Sequence, residues 1–208
     1  SGSFRAWGGV RHTQKGGLPG APFGTAGSDL LATSRQVIFD SPAKKTQYLG
    51  RVVFRAGADE MRAMTIETVD TPAGPKITAD TEVEILVKGS TKDAGLDARS
   101  AKMTYTPADR RFAFNGAAVV KQKDFETKAP EILVVLGPSG NSEVKSLEAQ
   151  GGPVSIKAEE RNAEGAHLLY TPGDGKVVMT GAPVKLEAQG RRIQGKSVTF
   201  MAKWDYAL

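Results

Sequence analysis

The sequence holds no cysteine in its 208 residues. That excludes a disulfide framework, a zinc–thiolate centre and a thiol nucleophile, while leaving the compartment open. Histidine is nearly as scarce, with only His12 and His167. His12 lies in a Gly-rich stretch, and His167 has no second His, Cys or carboxylate at ligand spacing. Each reads as a solvated side chain. No G-x-S-x-G, H-E-x-x-H or P-loop is present. "GPSGNSE" at Gly137–Glu143 joins two strands and lacks the helix N-terminus that binds phosphate. Glu159 and Glu160 are adjacent in an extended segment, so they face opposite sides and cannot flank one bond. There are only two tryptophans, little for an aromatic-rimmed carbohydrate cleft. No run of about 18 apolar residues exists to span a membrane as a helix. Helical periodicity is missing too: the nearest candidate, "TKDAGLDARSAKM" at Thr91–Met103, carries Gly95 in its middle. No enzyme activity, metal or cofactor is expected.

What is present is a strand-and-turn grammar. Apolar residues are 39% of the chain, and 24 glycines punctuate short apolar runs. "QVIFD" (Gln36–Asp40), "RVVFR" (Arg51–Arg55) and "EILVVL" (Glu131–Leu136) are each followed by turn residues. Val83, Ile85 and Val87 alternate in "TEVEILVK"; Val154 and Ile156 do so in "PVSIKA", and Val198 and Phe200 in "SVTF". The fold class is all-β, built from strands of four to eight residues. The net charge is +5, with bases scattered among acids. A basic stripe interleaved with aromatics is missing, so nucleic acid is not an expected partner.

Residues 1–28 are Gly-rich and read as a flexible arm, with residues 29–208 forming a single domain. Ser1-Gly2-Ser3 has the character of a cloning remnant, so targeting is not legible. Phe4, Trp7 and Phe23 are the arm's candidates for docking on a partner or on the domain's own edge.

One phrase recurs. "YTPADRRFAFNGAAV" at Tyr105–Val119 returns as "YTPGDGKVVMTGAPV" at Tyr170–Val184, and a degenerate copy runs from Phe39 to Val53. In each, a Gly follows the aromatic by eleven residues (Gly50, Gly116, Gly181) and a Val follows that Gly by three. Each copy reads as a strand, a Pro-containing turn (Pro42, Pro107, Pro172), a return strand ending at the Gly, and a further strand from the Val. The Gly is expected to take a positive φ or to let the strands turn a corner. One such unit cannot bury its own apolar face; stacked units share an interior.

These residues resemble a known pattern. "VVMTGAPV" and "IQGKSVTF", within Gly165–Phe200, are similar to the OstA-like repeat of the periplasmic lipopolysaccharide-transport proteins LptA, LptC and the N-terminal domain of LptD. "EVKSLEAQGGPVSIKA" is similar to the family's linking phrase. The resemblance covers about residues 30–203. It implies a β-jellyroll of two V-shaped antiparallel sheets whose groove shelters lipid A acyl chains in the periplasm. It also implies assembly with other transport components of the same fold, or head to tail with itself, through edge strands. Strand parity then nominates a groove of Phe39, Phe54, Ile66, Ile85, Met103, Phe112, Phe114, Ile132, Val134, Ile156, Met179, Leu186 and Phe200. The assembly edges are Val37 and Phe39 at one end and Val198, Phe200, Trp204 and Tyr206 at the other. Two other readings stay open: a structural β-repeat scaffold with a packed interior and no lipid ligand, and a β-sandwich enzyme or carbohydrate-binding module.

Overall fold

The computed structural model describes residues 2–18, 20–24, 28–88, 95–122, 125–137, 143–158 and 161–201. Among them lie fourteen strands, one 3-10 turn at Pro172–Asp174 and no α-helix. In chain order the strands are β1 (Phe4–Gln14), β2 (Leu30–Asp40), β3 (Lys45–Ala56), β4 (Asp59–Thr71), β5 (Gly74–Lys88), β6 (Gly95–Thr106) and β7 (Arg111–Gln122). They continue as β8 (Phe125–Leu136), β9 (Val144–Gln150), β10 (Val154–Ala158), β11 (Arg161–Gly165), β12 (His167–Thr171), β13 (Lys176–Ala188) and β14 (Arg191–Met201).

The sheet is an antiparallel meander from β1 to β8. β9 and β10 are two halves of one interrupted strand: β9 pairs with residues 131–136 of β8, and β10 with residues 125–128. β11 and β12 are likewise halves of one strand, both pairing with β13, and β14 follows on β13. The sequence repeat therefore spans four strands. Its copies occupy the β2–β3, β6–β7 and β12–β13 hairpins.

Bulges in mid-strand bend this sheet. Gly50 and Arg51 in β3, Thr81 and Glu82 in β5, and Gly116 and Ala117 in β7 all have positive φ. Across the β3–β4 ladder, Leu49 pairs with Thr65 and Val52 with Ala63, so two residues of β3 oppose one of β4. The same two-against-one count recurs between β5 and β6 and between β7 and β8. An extra residue on one strand kinks it and raises its twist. Because the bulges fall in line across neighbouring strands, the sheet folds along them into two facing halves. Tyr48 and Phe54, on opposite sides of the β3 bulge, meet edge to face at 4.9 Å. Phe125, at the start of β8, meets Tyr170, near the end of β12, at 4.6 Å. The result is the two-layered all-β jellyroll that the resemblance implies, with one apolar core running from Ala21 to Phe200.

Two expectations are corrected. First, Phe4–Gln14 is a strand and not a structureless arm: it pairs with β2 from Phe4↔Phe39 to Gln14↔Leu30. The glycines that suggested flexibility, Gly8 and Gly9, have φ of +92° and +87° and form the bulge of β1. Second, the strands are longer than the runs in the sequence; β3, for example, has 12 residues and β5 has 15. The repeat glycines do not end a strand, because a bulge lets the ladder continue past them. As the missing helical periodicity implied, Gly95–Thr106 is strand β6 and not a helix. The three copies also diverge. Val53 and Val119 are half-buried, whereas Val184 is fully buried: residues 181–183 of β13 oppose one residue of β14, three against one where the other copies have two, so the inward phase shifts by one.

Candidate functional site

Twelve of the thirteen residues that the sequence nominates for a groove lie in the shared core, each at most 8% exposed. Phe54, Ile66, Ile85 and Met103 come from β3 to β6; Phe112, Phe114, Ile132 and Val134 from β7 and β8; Ile156, Met179, Leu186 and Phe200 from β10, β13 and β14. They face inward because side chains alternate along each strand and the bulges preserve the buried face on both sides of the bend. Aromatic contacts link them: Phe112 packs on Phe114 at 5.5 Å and on Tyr105 at 5.0 Å. The exception is Phe39. It is half-buried at the end of β2, with its ring 5.4 Å from Phe4.

Parity missed several equals of these residues. Tyr105, Ile77, Leu96 and Leu147 are among the largest fully buried side chains. Tyr105 was visible as the aromatic that opens the repeat phrase. Ile77 and Leu96 stand beside polar residues at strand ends that the short-strand reading cut off. Phe23, placed in the arm by the sequence, is buried and lies edge to face with Phe112 at 6.4 Å. Of the two options for Phe23, the structure takes docking on its own domain.

The interior is mostly apolar, with few buried polar side chains. Burial pushes the Tyr48 phenol up to about 12. Its hydroxyl shares a 2.8 Å hydrogen bond with Nδ1 of His12, which reaches over from β1. Tyr105 is also raised by burial, with Arg110 acting the other way, and its hydroxyl donates to the Gly20 carbonyl at 3.2 Å. The hydroxyl of Thr127 is buried without a hydrogen-bond partner among the described residues.

Several surface charges are paired. Glu60 takes Arg55 at 2.6 Å and also Arg62; Glu126 takes Lys128 at 2.7 Å and Lys121 at 3.0 Å. His167 does have a carboxylate neighbour, Glu148 of the adjacent strand, with Nε2 and Oε1 at 2.7 Å. The sequence could not show this because the two are joined only through strand pairing. Among the described residues no three His, Asp or Glu side chains gather as a metal site.

A cavity of about 1000 Å³ lies along the bend, lined by Ala117, Pro130, Pro153, Ala166, Pro183 and others. It lies where β9–β10 and β11–β12 are interrupted and β13 bulges, at small residues and prolines. None of the thirteen groove residues lines it.

The assembly edges come out unevenly. Val37 and Phe39 are not on an edge, because β1 covers β2. β14, with Val198 and Phe200, pairs only with β13 among the described residues. Trp204 and Tyr206 lie outside the described residues. The two terminal strands of the sheet carry four exposed large apolar side chains: Phe4 and Trp7 on β1, Ile193 and Met201 on β14.

Comparison with known proteins agrees with this architecture. The family model described as LptA/(LptD N-terminal domain) LPS transport protein matches residues 32–137, half of the chain. No curated protein matches. Among solved structures, the chain is similar to LptH of Pseudomonas aeruginosa, described as the LptA-homologous periplasmic component of the conserved lipopolysaccharide transport device. The TM-score is 0.50 at 16% identity, over 58% of this chain and 81% of that one, a likeness of fold. With the repeat, the bent meander and the family match together, the chain belongs to the LptA/LptD N-terminal-domain family of lipopolysaccharide-transport proteins.

Proposed function

We propose that this protein is a non-enzymatic carrier that shelters the acyl chains of lipid A between its two half-sheets while lipopolysaccharide crosses the periplasm. The observation that carries this reading is the single apolar interior running the length of the chain, lined by Phe and Met as well as aliphatic residues. Burying a methylene is worth roughly 0.8 kcal/mol, so a ~12-carbon acyl chain left in water costs on the order of 10 kcal/mol. A continuous apolar path removes that cost. Soft, adaptable methionines such as Met61, Met103 and Met179 suit an irregular, flexible ligand.

The topology supports access. The two ends of the meander, β1 and β14, are not paired with each other among the described residues. The two halves are therefore held together on the side away from the bend by side-chain contacts such as Phe125–Tyr170. Parting them breaks no ladder between strands. The apolar edges β1 and β14 suit strand pairing with other transport components of this fold, or with further copies, so that the interior runs on from one molecule to the next.

A second reading has one observation in its favour. The interior residues are as tightly enclosed as an ordinary core, which fits a scaffold with no ligand. Photo-crosslinking separates the two. A photo-reactive phenylalanine derivative at Phe112 or Phe200 is expected to give an ultraviolet-dependent adduct with purified lipopolysaccharide, while the same group at exposed Leu169 gives none. Adducts at neither interior position, in folded protein, would leave the scaffold.

A further inference from the structure

The segment between β1 and β2 does more than connect them. Ala21, Pro22, Phe23 and Gly24 are all buried. Gly20 accepts a hydrogen bond from the Tyr105 hydroxyl at 3.2 Å and abuts the Ala73 carbonyl in the β4–β5 turn. Four residues on, the Gly24 amide donates to Oδ2 of Asp59 at 2.7 Å. Asp59, at the start of β4, also accepts from the Lys88 amide at the end of β5, again at 2.7 Å. Tyr105 and the β4–β5 turn lie at the free rim of one half-sheet, and Asp59 and Lys88 at the free rim of the other. Residues 20–24 therefore cross from rim to rim, on the side where the two halves are not joined by strands.

Phe23 is the inward point of this crossing. It is 8% exposed and meets Phe112, which is fully buried at the centre of the aromatic cluster. The described anchors of the crossing include the Tyr105–Gly20 and Gly24–Asp59 hydrogen bonds, the Ala21 amide donating to the Leu18 carbonyl at 2.9 Å, and the Phe23–Phe112 contact.

We infer that residues 20–24 are a strap that closes the mouth of the jellyroll, with Phe23 occupying the interior place an acyl chain takes when lipid is bound. This rests on the carrier reading above and adds its regulation. Lipid and Phe23 compete for the same apolar space, so the apparent affinity is lowered by the fraction of molecules in which the strap is closed. Loading is then coupled to displacement of the strap, and an unloaded carrier keeps its apolar interior out of water.

The test compares wild type, Phe23→Ala and Asp59→Ala, each tagged, mixed with limiting purified lipopolysaccharide, captured and assayed for retained lipid. Phe23→Ala removes the plug; Asp59→Ala removes the Gly24 anchor, and the Lys88 bond with it, while keeping every apolar side chain, and circular dichroism checks the fold of both. Each variant is expected to retain about tenfold more lipid than wild type, the gain if the strap is closed in about nine molecules of ten. In wild type, hydrogen exchange at residues 20–24 is expected to rise on adding lipopolysaccharide. Equal retention by all three, or strap exchange unchanged when lipid is bound, overturns the strap and leaves the carrier standing. Retention by none of them overturns the carrier reading and the strap with it.

Discussion

Gly116 and Ala101 face each other across the β6–β7 ladder so closely that a Cβ on Gly116 would fall 2.7 Å from the Ala101 Cβ. Gly116 also holds a φ of +81°. Both features follow from the bulge that bends β7, so the sheet at this pair is sensitive to a single methyl group. Gly116→Ala is expected to destabilise by about 2–3 kcal/mol, combining left-handed backbone strain with the clash. Ala101→Gly in the same chain should recover the steric part and leave the backbone part. Urea denaturation of the two single variants and the double variant measures this as a coupling energy. Strict additivity would show that the contact does not limit the bend.

Thr127 gives a prediction of the opposite sign. Its hydroxyl is enclosed on β8, between Val120 of β7 and Ile156 of β10 in the ladder register, and lacks a partner among the described residues. Thr127→Val keeps the shape and removes the unsatisfied group. A gain of about 1 kcal/mol is expected in the same denaturation assay. A loss of stability would reveal a partner for the hydroxyl.

Tyr48 ties stability to alkaline pH. Its folded-state value is raised to about 12 by burial, while an unfolded tyrosine ionises near 10. A raised acid holds its proton longer in the folded state. Its contribution is present below about pH 10 and is lost as pH rises through about 12, amounting to roughly 3 kcal/mol. Tyr48→Phe should flatten that fall. Because Tyr105 is raised as well, the test is the difference between wild type and Tyr48→Phe across that window. Parallel curves would mean that Tyr48 is not enclosed.

Glu67 does the same at acid pH. Lys45 at 2.8 Å and the Gln47 amide at 2.9 Å, both on β3, hold its carboxyl below the ordinary glutamate range. A depressed carboxyl contributes stability above its unfolded pKa, and that contribution is lost as pH falls through the folded value. The pair is solvent-accessible, so the effect is under about 1 kcal/mol. Glu67→Gln should remove this part of the acid dependence, and 1 M salt should shrink it in the wild type. An unchanged acid limb in Glu67→Gln would show that the pair contributes nothing.

Much of this was legible beforehand. Alternation in "TEVEILVK" put Val83, Ile85 and Val87 inside, and all three are buried. The repeat phrase marked the hairpins, and the positive φ expected at its glycine is met at Gly50 and Gly116. The N-terminal segment misled for a physical reason. Paired glycines look alike whether they loosen a chain or supply the left-handed residues of a bulge, and only the partner strand decides which. Gly8 and Gly9 became a bulge because β2 lies beside them.

The sequence by itself determined what alternation and turn chemistry control: an all-β chain, the hairpins, the inward faces and the repeat, since each depends on residues a few places apart. Tertiary structure decided what depends on residues far apart. It set the alignment of the bulges into one fold line and the meeting of His12 with Tyr48 and of His167 with Glu148. It also carried Phe23 across the open side onto Phe112. Local periodicity fixes which way a side chain points; only the folded sheet fixes what it meets.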